Sequence, residues 1–331
     1  MKKIDVVLVV LLTISSIAFA DDPCTPVTHQ QLQAVDQDGV GTYNAEGKVI
    51  IEGIILNNPA DMVDPTANYQ AEPVDMGGQW QIFVQGRGDD HAGTAVYMGQ
   101  NYELLPWIYP PDGSYTDPNW IKEMKRLNAS QFGPGDKVRV TGYYMFYKGK
   151  TNINERHESS DANNFTIELL ENGAGLPRPE VITLDDVKDV NDDFIFDPDR
   201  TIGCEYYQGR LVRINDVSFV GDANNWAPDA ELQITDGAKT FTVKLGLGTG
   251  IYAGSNNLTA PFDVIGIFDQ EAAGWPADCT TGYRIWVMDY DGNGSVLSGR
   301  EHRRAAKPGD ADLDGVVDFY DFAELAADWL D

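Results

Sequence analysis

The chain has 331 residues, with 52 acidic against 24 basic side chains and a formal net charge of −28. That balance suits hard divalent cations and excludes a generally basic nucleic-acid surface, because phosphate sites need clustered Lys and Arg to displace counterions. Three cysteines without a C-x-x-C pair exclude a dithiol redox motif.

Met1 to Ala20 reads as a secretion signal. Lys2 and Lys3 form the basic start, Val6 to Leu12 the apolar core, and Ala18-Phe19-Ala20 the small-x-small cleavage site. The run is too short to be kept as a membrane span, and no other stretch is long and apolar enough. The mature protein is expected to be secreted or periplasmic, and about 310 residues hold two domains and a small module.

Residues 21–40 read as a flexible lead-in. Residues 41–170 carry a first β unit. Its predicted strands are Tyr43 to Leu56 (bent at Gly53), Trp80 to Gln85, Lys137 to Thr141 continuing past Gly142 as Tyr143 to Tyr147, Thr151 to Asn154, and Phe165 to Leu169. Residues 88–120 read as a long loop, and Ile121 to Leu127 has the spacing of a short helix. Residues 171–199 read as a linker containing a short helix capped by Thr183. Residues 200–290 repeat the pattern with Tyr207 to Phe219, Leu232 to Asp236, Thr240 to Leu245, Phe262 to Phe268 and Tyr283 to Met288. Gly266 stands in the second unit where Gly142 stands in the first. Residues 291–308 form a second linker, and 309–331 a terminal module.

Five strands with a glycine-bent first strand predict a small Greek-key barrel in each unit, so the expected class is all-β with two tandem barrels. A small β-sandwich has similar strand counts. Cys204 and Cys279 lie near the two ends of the second unit and are the best-placed disulfide pair; the alternative is two small buried side chains that never bond.

The terminal module carries the most specific spacing. Asp310, Asp312, Asp314, Asp318 and Asp321 occupy positions 1, 3, 5, 9 and 12 of a twelve-residue loop, with Gly315 at the sharp turn and Val316 offering its carbonyl at position 7. Ca2+ is the expected cofactor, since the carboxylates repel one another until an ion joins them. Phe322, Leu325, Trp329 and Leu330 then recur at helical intervals as a docking face. The related Asp289-Tyr-Asp-Gly-Asn-Gly294 run reads as a tight turn, because Arg300 would fall at position 12.

Tyr143, Tyr144, Phe146 and Tyr147 beside Lys148 and Lys150 form the most basic, aromatic-rich patch, and are the candidate ligand face. Alternate members of such a run also suit a barrel core. Trp80, Trp107, Trp120, Trp226 and Trp275 are candidates for stacking on sugar rings. Asp89-Asp90-His91 is the acid–histidine juxtaposition singled out, and it reads as a polar loop. No H-E-x-x-H, G-x-S-x-G or phosphate loop is present, so the chain reads as a binder. Composition also allows a carboxylate pair suited to glycoside hydrolysis.

Residues 309–330 resemble one repeat of a type I dockerin, an EF-hand-like module that binds cohesin domains. The resemblance implies that the five aspartates ligate calcium, that the following helix packs or recognises, and that a cohesin-like or self-docking partner exists. A full dockerin has two such repeats, and one is visible. The patterns Gly47 to Gly53 and Gly135 to Gly142 loosely resemble OB-fold domains of secreted bacterial nucleases, which bind single strands or oligosaccharides. The resemblances imply a secreted assembly protein associated with extracellular polysaccharide, with single-stranded nucleic acid as the alternative ligand.

Overall fold

The computed structural model describes residues 24–64, 79–98, 132–154, 165–221, 226–247, 257–288 and 293–297. The secretion signal, the helix at 121–127, the turn at 289–292, Trp107, Trp120 and the whole calcium module with its docking face lie outside these residues.

The first unit holds β1 (Cys24–Pro26), β2 (Lys48–Ile55), β3 (Val63–Asp64), β4 (Gln79–Gln85), β5 (Gly93–Met98), β6 (Lys137–Tyr147), β7 (Lys150–Asn154) and β8 (Thr166–Glu171). They join in the order β1-β2-β4-β5-β7-β6-β8, with β3 on β4 and β2 also against β6. The described part of the lead-in is folded, contrary to expectation. β1 lies parallel on β2, and α1 (His29–Leu32) follows under a capping box between Thr28 and Gln31. That helix buries His29 and Leu32 against the sheet. The expected long loop at 88–120 contains β5, whose Ala95, Val96 and Met98 are core residues.

The second unit holds β9 (Glu180–Ile182), α2 (Leu184–Val187), α3 (Gly203–Tyr206), β10 (Leu211–Phe219), β11 (Glu231–Thr235), β12 (Thr240–Leu245), β13 (Asn257–Gln270), β14 (Tyr283–Val287) and β15 (Asn293–Leu297). The predicted linker at 171–199 therefore contributes a strand parallel to β10 and a Thr183-capped turn of helix. Strands β10, β11, β12, β14 and β13 follow one another, and β13 returns to β10. This is a closed five-strand barrel, consistent with an OB-like domain.

Two tandem barrels were expected, and this is corrected to one. The first unit is an eight-stranded sheet that curls without forming a true barrel. Its β2–β4 and β5–β7 seams are each two residue pairs long, and β3 branches from the side of β4. In the barrel one seam, β10–β11, is that short, whereas β13 runs five pairs with β10 and β12 runs four with β14.

Gly142 and Gly266 do correspond, for a steric reason. A Cβ on Gly142 would sit 2.5 Å from Ile153 Cγ2, and one on Gly266 would sit 2.4 Å from Ile285 Cγ2. Each glycine admits an isoleucine of the neighbouring strand into its unit's interior.

Each unit has its own core. Val49, Ile51, Trp80, Ile82 and Val140 centre the first; Val212, Ile234, Phe241, Val264, Phe268 and Ile285 centre the second. A third apolar cluster joins them, with Leu56, Met62, Phe83 and Ala95 from the first unit meeting Leu211, Ile265, Ile267, Trp286 and Met288 from the second. Backbones touch here too: Gly93 donates its N–H to Gln208 O at 2.9 Å, and a Cβ on Gly93 would lie 2.0 Å from Gly209 O.

A buried ion cluster crosses the same seam. Asp269 Oδ2 accepts from Lys150 Nζ at 3.0 Å, Arg284 Nη2 at 3.2 Å and Trp286 Nε1 at 2.7 Å. Arg284 also donates to Glu271 at 2.6 Å. Burial pushes the Asp269 carboxyl up, but Lys150, Arg284 and the indole hydrogen bond outweigh it and hold it below the usual range.

Candidate ligand-binding groove

The predicted aromatic face does not form one surface. Tyr143 is 4% exposed, with the Lys48 ammonium 5.5 Å from its ring centre. Tyr144 is half-buried, edge-on to Tyr43 at 5.3 Å, and Phe146 packs over Gly41. Lys150 turns inward to Asp269, with its ammonium over the Phe83 ring. Tyr147 is 44% exposed, and Lys148 lies beside its ring at the hairpin tip. An eleven-residue strand sends alternate side chains to opposite faces, so one run cannot present them all.

Cys204 and Cys279 do not pair: of the two readings, the one of buried side chains that never bond is the one found. Cys204 Sγ donates to Val187 O inside the second core, whereas Cys279 lies in a loop at the inter-unit seam. Burial raises both thiols, Cys204 well above the ordinary thiol value. Trp80 is in the first core, stacked on Phe165, and Trp226 packs against the second.

Asp90 and His91 diverge. Asp90 caps α1, accepting from the N–H groups of His29 and Gln30 at 2.8 and 2.9 Å. His91 instead meets Glu180 Oε2 through Nε2 at 2.9 Å and stacks on Tyr206 with ring centres 4.1 Å apart. Among the described residues, no three His, Cys, Asp or Glu side chains gather as a metal site.

The His91 contact opens onto a groove between the units. A cavity of about 430 Å3 is lined by Arg87, Arg178 and Arg210 and by backbone of Gly86, Gly88 and Gly175. A second, of about 480 Å3, shares Arg178 and Arg210 and adds His91 and Glu180. Arg210 Nε donates to Glu180 Oε2 at 3.0 Å. Burial pushes Glu180 up, but the His91 hydrogen bond and the Arg210 charge outweigh it and hold the carboxyl below its ordinary value. His91 Nδ1 is buried and makes no hydrogen bond among the described residues. Three arginines and one acid thus line a concave stretch of a protein that carries −28 overall. Sequence reasoning missed this groove because Arg87, Arg178 and Arg210 lie on three separate segments with no local spacing that joins them.

No family model and no curated protein matches the chain. Among solved structures, a murine DNA-binding protein bound to double-stranded DNA matches with a TM-score of 0.29 and 10% identity, over 72% of this chain and 90% of that one. No helix among the described residues is long and apolar enough to cross a membrane.

Proposed function

We propose that this protein is a non-catalytic binding protein that holds an anionic strand, single-stranded nucleic acid, along the arginine-lined groove between its two units. The convergence of Arg87, Arg178 and Arg210 carries the reading. Guanidiniums match phosphate oxygens two at a time, and they keep their charge under all relevant conditions. The half-buried salt partner Glu180 fixes Arg210 in place, so less freedom is lost on binding. His91, its ring stacked on Tyr206, adds an aromatic group to the groove wall. The terminal module, read as calcium-ordered on its spacing alone, supplies an attachment point for such a binder.

Fluorescence anisotropy with labelled oligothymidylate at low salt tests the proposal. Binding should weaken as salt rises. The double variant Arg87→Ala, Arg178→Ala should lower the salt slope by roughly 1.4, about 0.7 for each phosphate of a single strand that is no longer neutralised. No binding at low salt, or an unchanged slope in the double variant, refutes it. Stronger binding of polygalacturonate than of oligothymidylate would reassign the groove to an anionic polysaccharide.

A further inference from the structure

Three segments distant in sequence meet at Cys279. Gly39 packs so closely on the Cys279 carbonyl that a Cβ there would lie 2.3 Å from its oxygen. Ala272 donates its N–H to Lys148 O at 2.9 Å, and Gly149 packs against the Gln270 side chain. The loop at 36–41, the hairpin tip at 147–150 and the loop at 271–282 therefore share one edge of the molecule. Each presents an exposed apolar side chain: Val40, Tyr147 and Trp275, the last at 84%.

The Trp275 loop is braced from beneath. Gln270 Nε2 donates to Cys279 O at 2.6 Å and Thr281 O at 2.9 Å, and Asp278 accepts from the Thr280 backbone and hydroxyl. An indole held out on a fixed loop exposes a large apolar face to water without losing much freedom on binding. Its surroundings are acidic. Asp36, Asp38 and Asp278 are exposed, Glu271 is half-buried beside Arg284, and the Lys148 ammonium beside the Tyr147 ring offsets one of these charges. Asp278 adjoins Cys279 in the chain, and Asp36 O accepts from the Gly39 N–H at 3.1 Å, so both aspartates lie near the meeting point.

We infer that the Val40–Tyr147–Trp275 edge is a second binding site, separate from the arginine groove, that stacks the rings of a neutral polysaccharide. A sugar ring offers one face of C–H groups to an aromatic and hydroxyl donors around its rim. The aromatics here meet the first need, and the surrounding carboxylates, all acceptors when ionised, meet the second. The same carboxylates repel phosphates and uronates, so charge selects a neutral glycan over an anionic one. The inference does not rest on the nucleic-acid reading of the groove.

The test is isothermal titration of the full chain with β-linked hexaoses of glucose, xylose and mannose, followed by acrylamide quenching of tryptophan emission. At least one hexaose should bind and shield an exposed tryptophan. Trp275→Ala and Tyr147→Ala should each weaken it about tenfold, as loss of one stacking ring does. Both rings are exposed, so neither change should alter the unfolding midpoint. The Arg87→Ala, Arg178→Ala variant should bind the hexaose like the parent. Binding of none of the hexaoses overturns the inference, as does a Trp275→Ala variant that binds unchanged. Loss of oligothymidylate rather than hexaose binding in Trp275→Ala also overturns it, by assigning the edge to nucleic acid.

Discussion

Replacing Asp269 with Ala removes the acceptor at the centre of the inter-unit ion cluster. Its Oδ2 takes hydrogen bonds from Lys150, Arg284 and Trp286, all on largely buried side chains. Without it, the Lys150 and Arg284 cations share only Glu271, which reaches Arg284. Stranding a buried charge costs about 3–5 kcal/mol, and an orphaned indole N–H about 1 more. The expected loss is about 4–6 kcal/mol, or roughly 8–24 °C in Tm at about 2–4 °C per kcal/mol for a chain of this size. Lys150→Met is the control. It leaves Asp269 held by Arg284 and the indole and removes a buried ammonium, so about 1 kcal/mol is expected. Urea unfolding followed by circular dichroism and tryptophan emission measures both. Lys150 belongs to the first unit and Asp269 to the second, so Asp269→Ala should also split the transition. A loss under about 1 kcal/mol, or equal losses in the two variants, refutes the reasoning.

Other expectations follow from the same contacts. Gly142→Ala places a methyl 2.5 Å from Ile153 Cγ2 and 2.8 Å from Phe165 Cβ, and should cost about 1–3 kcal/mol by denaturant titration. Acid should destabilise the fold. Asp269, Glu271, Glu180 and Glu52 all have lowered folded pKa values, so the stability they contribute is complete above about pH 5 and is lost as pH falls through the folded values. Glu205, raised first by burial, works the other way and offsets a part. Thermal melts at pH 3 and pH 6 check the sign, with the lower midpoint expected at pH 3. Calcium should bind the full chain below millimolar concentration by titration calorimetry, and Asp312→Ala with Asp314→Ala should abolish the heat.

Strands with one buried face, such as β11 and β12, were legible by alternation. In β12, the run Thr240 to Leu245 alternates between half-buried and buried along its length, as its sequence does. The fold of the lead-in was not legible although Thr28 and Gln31 carry a capping-box signal, because a single turn of helix has no period to detect. Strand β5 was hidden by its neighbours, since Gly, Asp and His around it read as loop. The inter-unit seam was not legible at all. Phe83 and Ala95 sit on faces that alternation assigns to solvent, and Lys150, Asp269 and Arg284 are buried only because two surfaces meet. A binary pattern records that a side chain is apolar, not which body it touches. The ligand face failed for a related reason: proximity along β6 and its hairpin tip placed six candidates together that the pleat and the turn then separated. The arginine groove and the Trp275 edge are each assembled from three separate segments of the chain, an arrangement that no local spacing encodes.

The apolar seam has a consequence for how this protein can be divided. A second unit expressed alone would present Leu211, Ile265, Ile267, Trp286 and Met288 to water as one patch, and the first unit would present Leu56, Met62 and Phe83. Such patches invite self-association. The two units are therefore poor cassettes: truncation libraries, domain swaps and fusion boundaries placed between them should yield aggregates, and selection should have kept the pair on one polypeptide and translated in one piece.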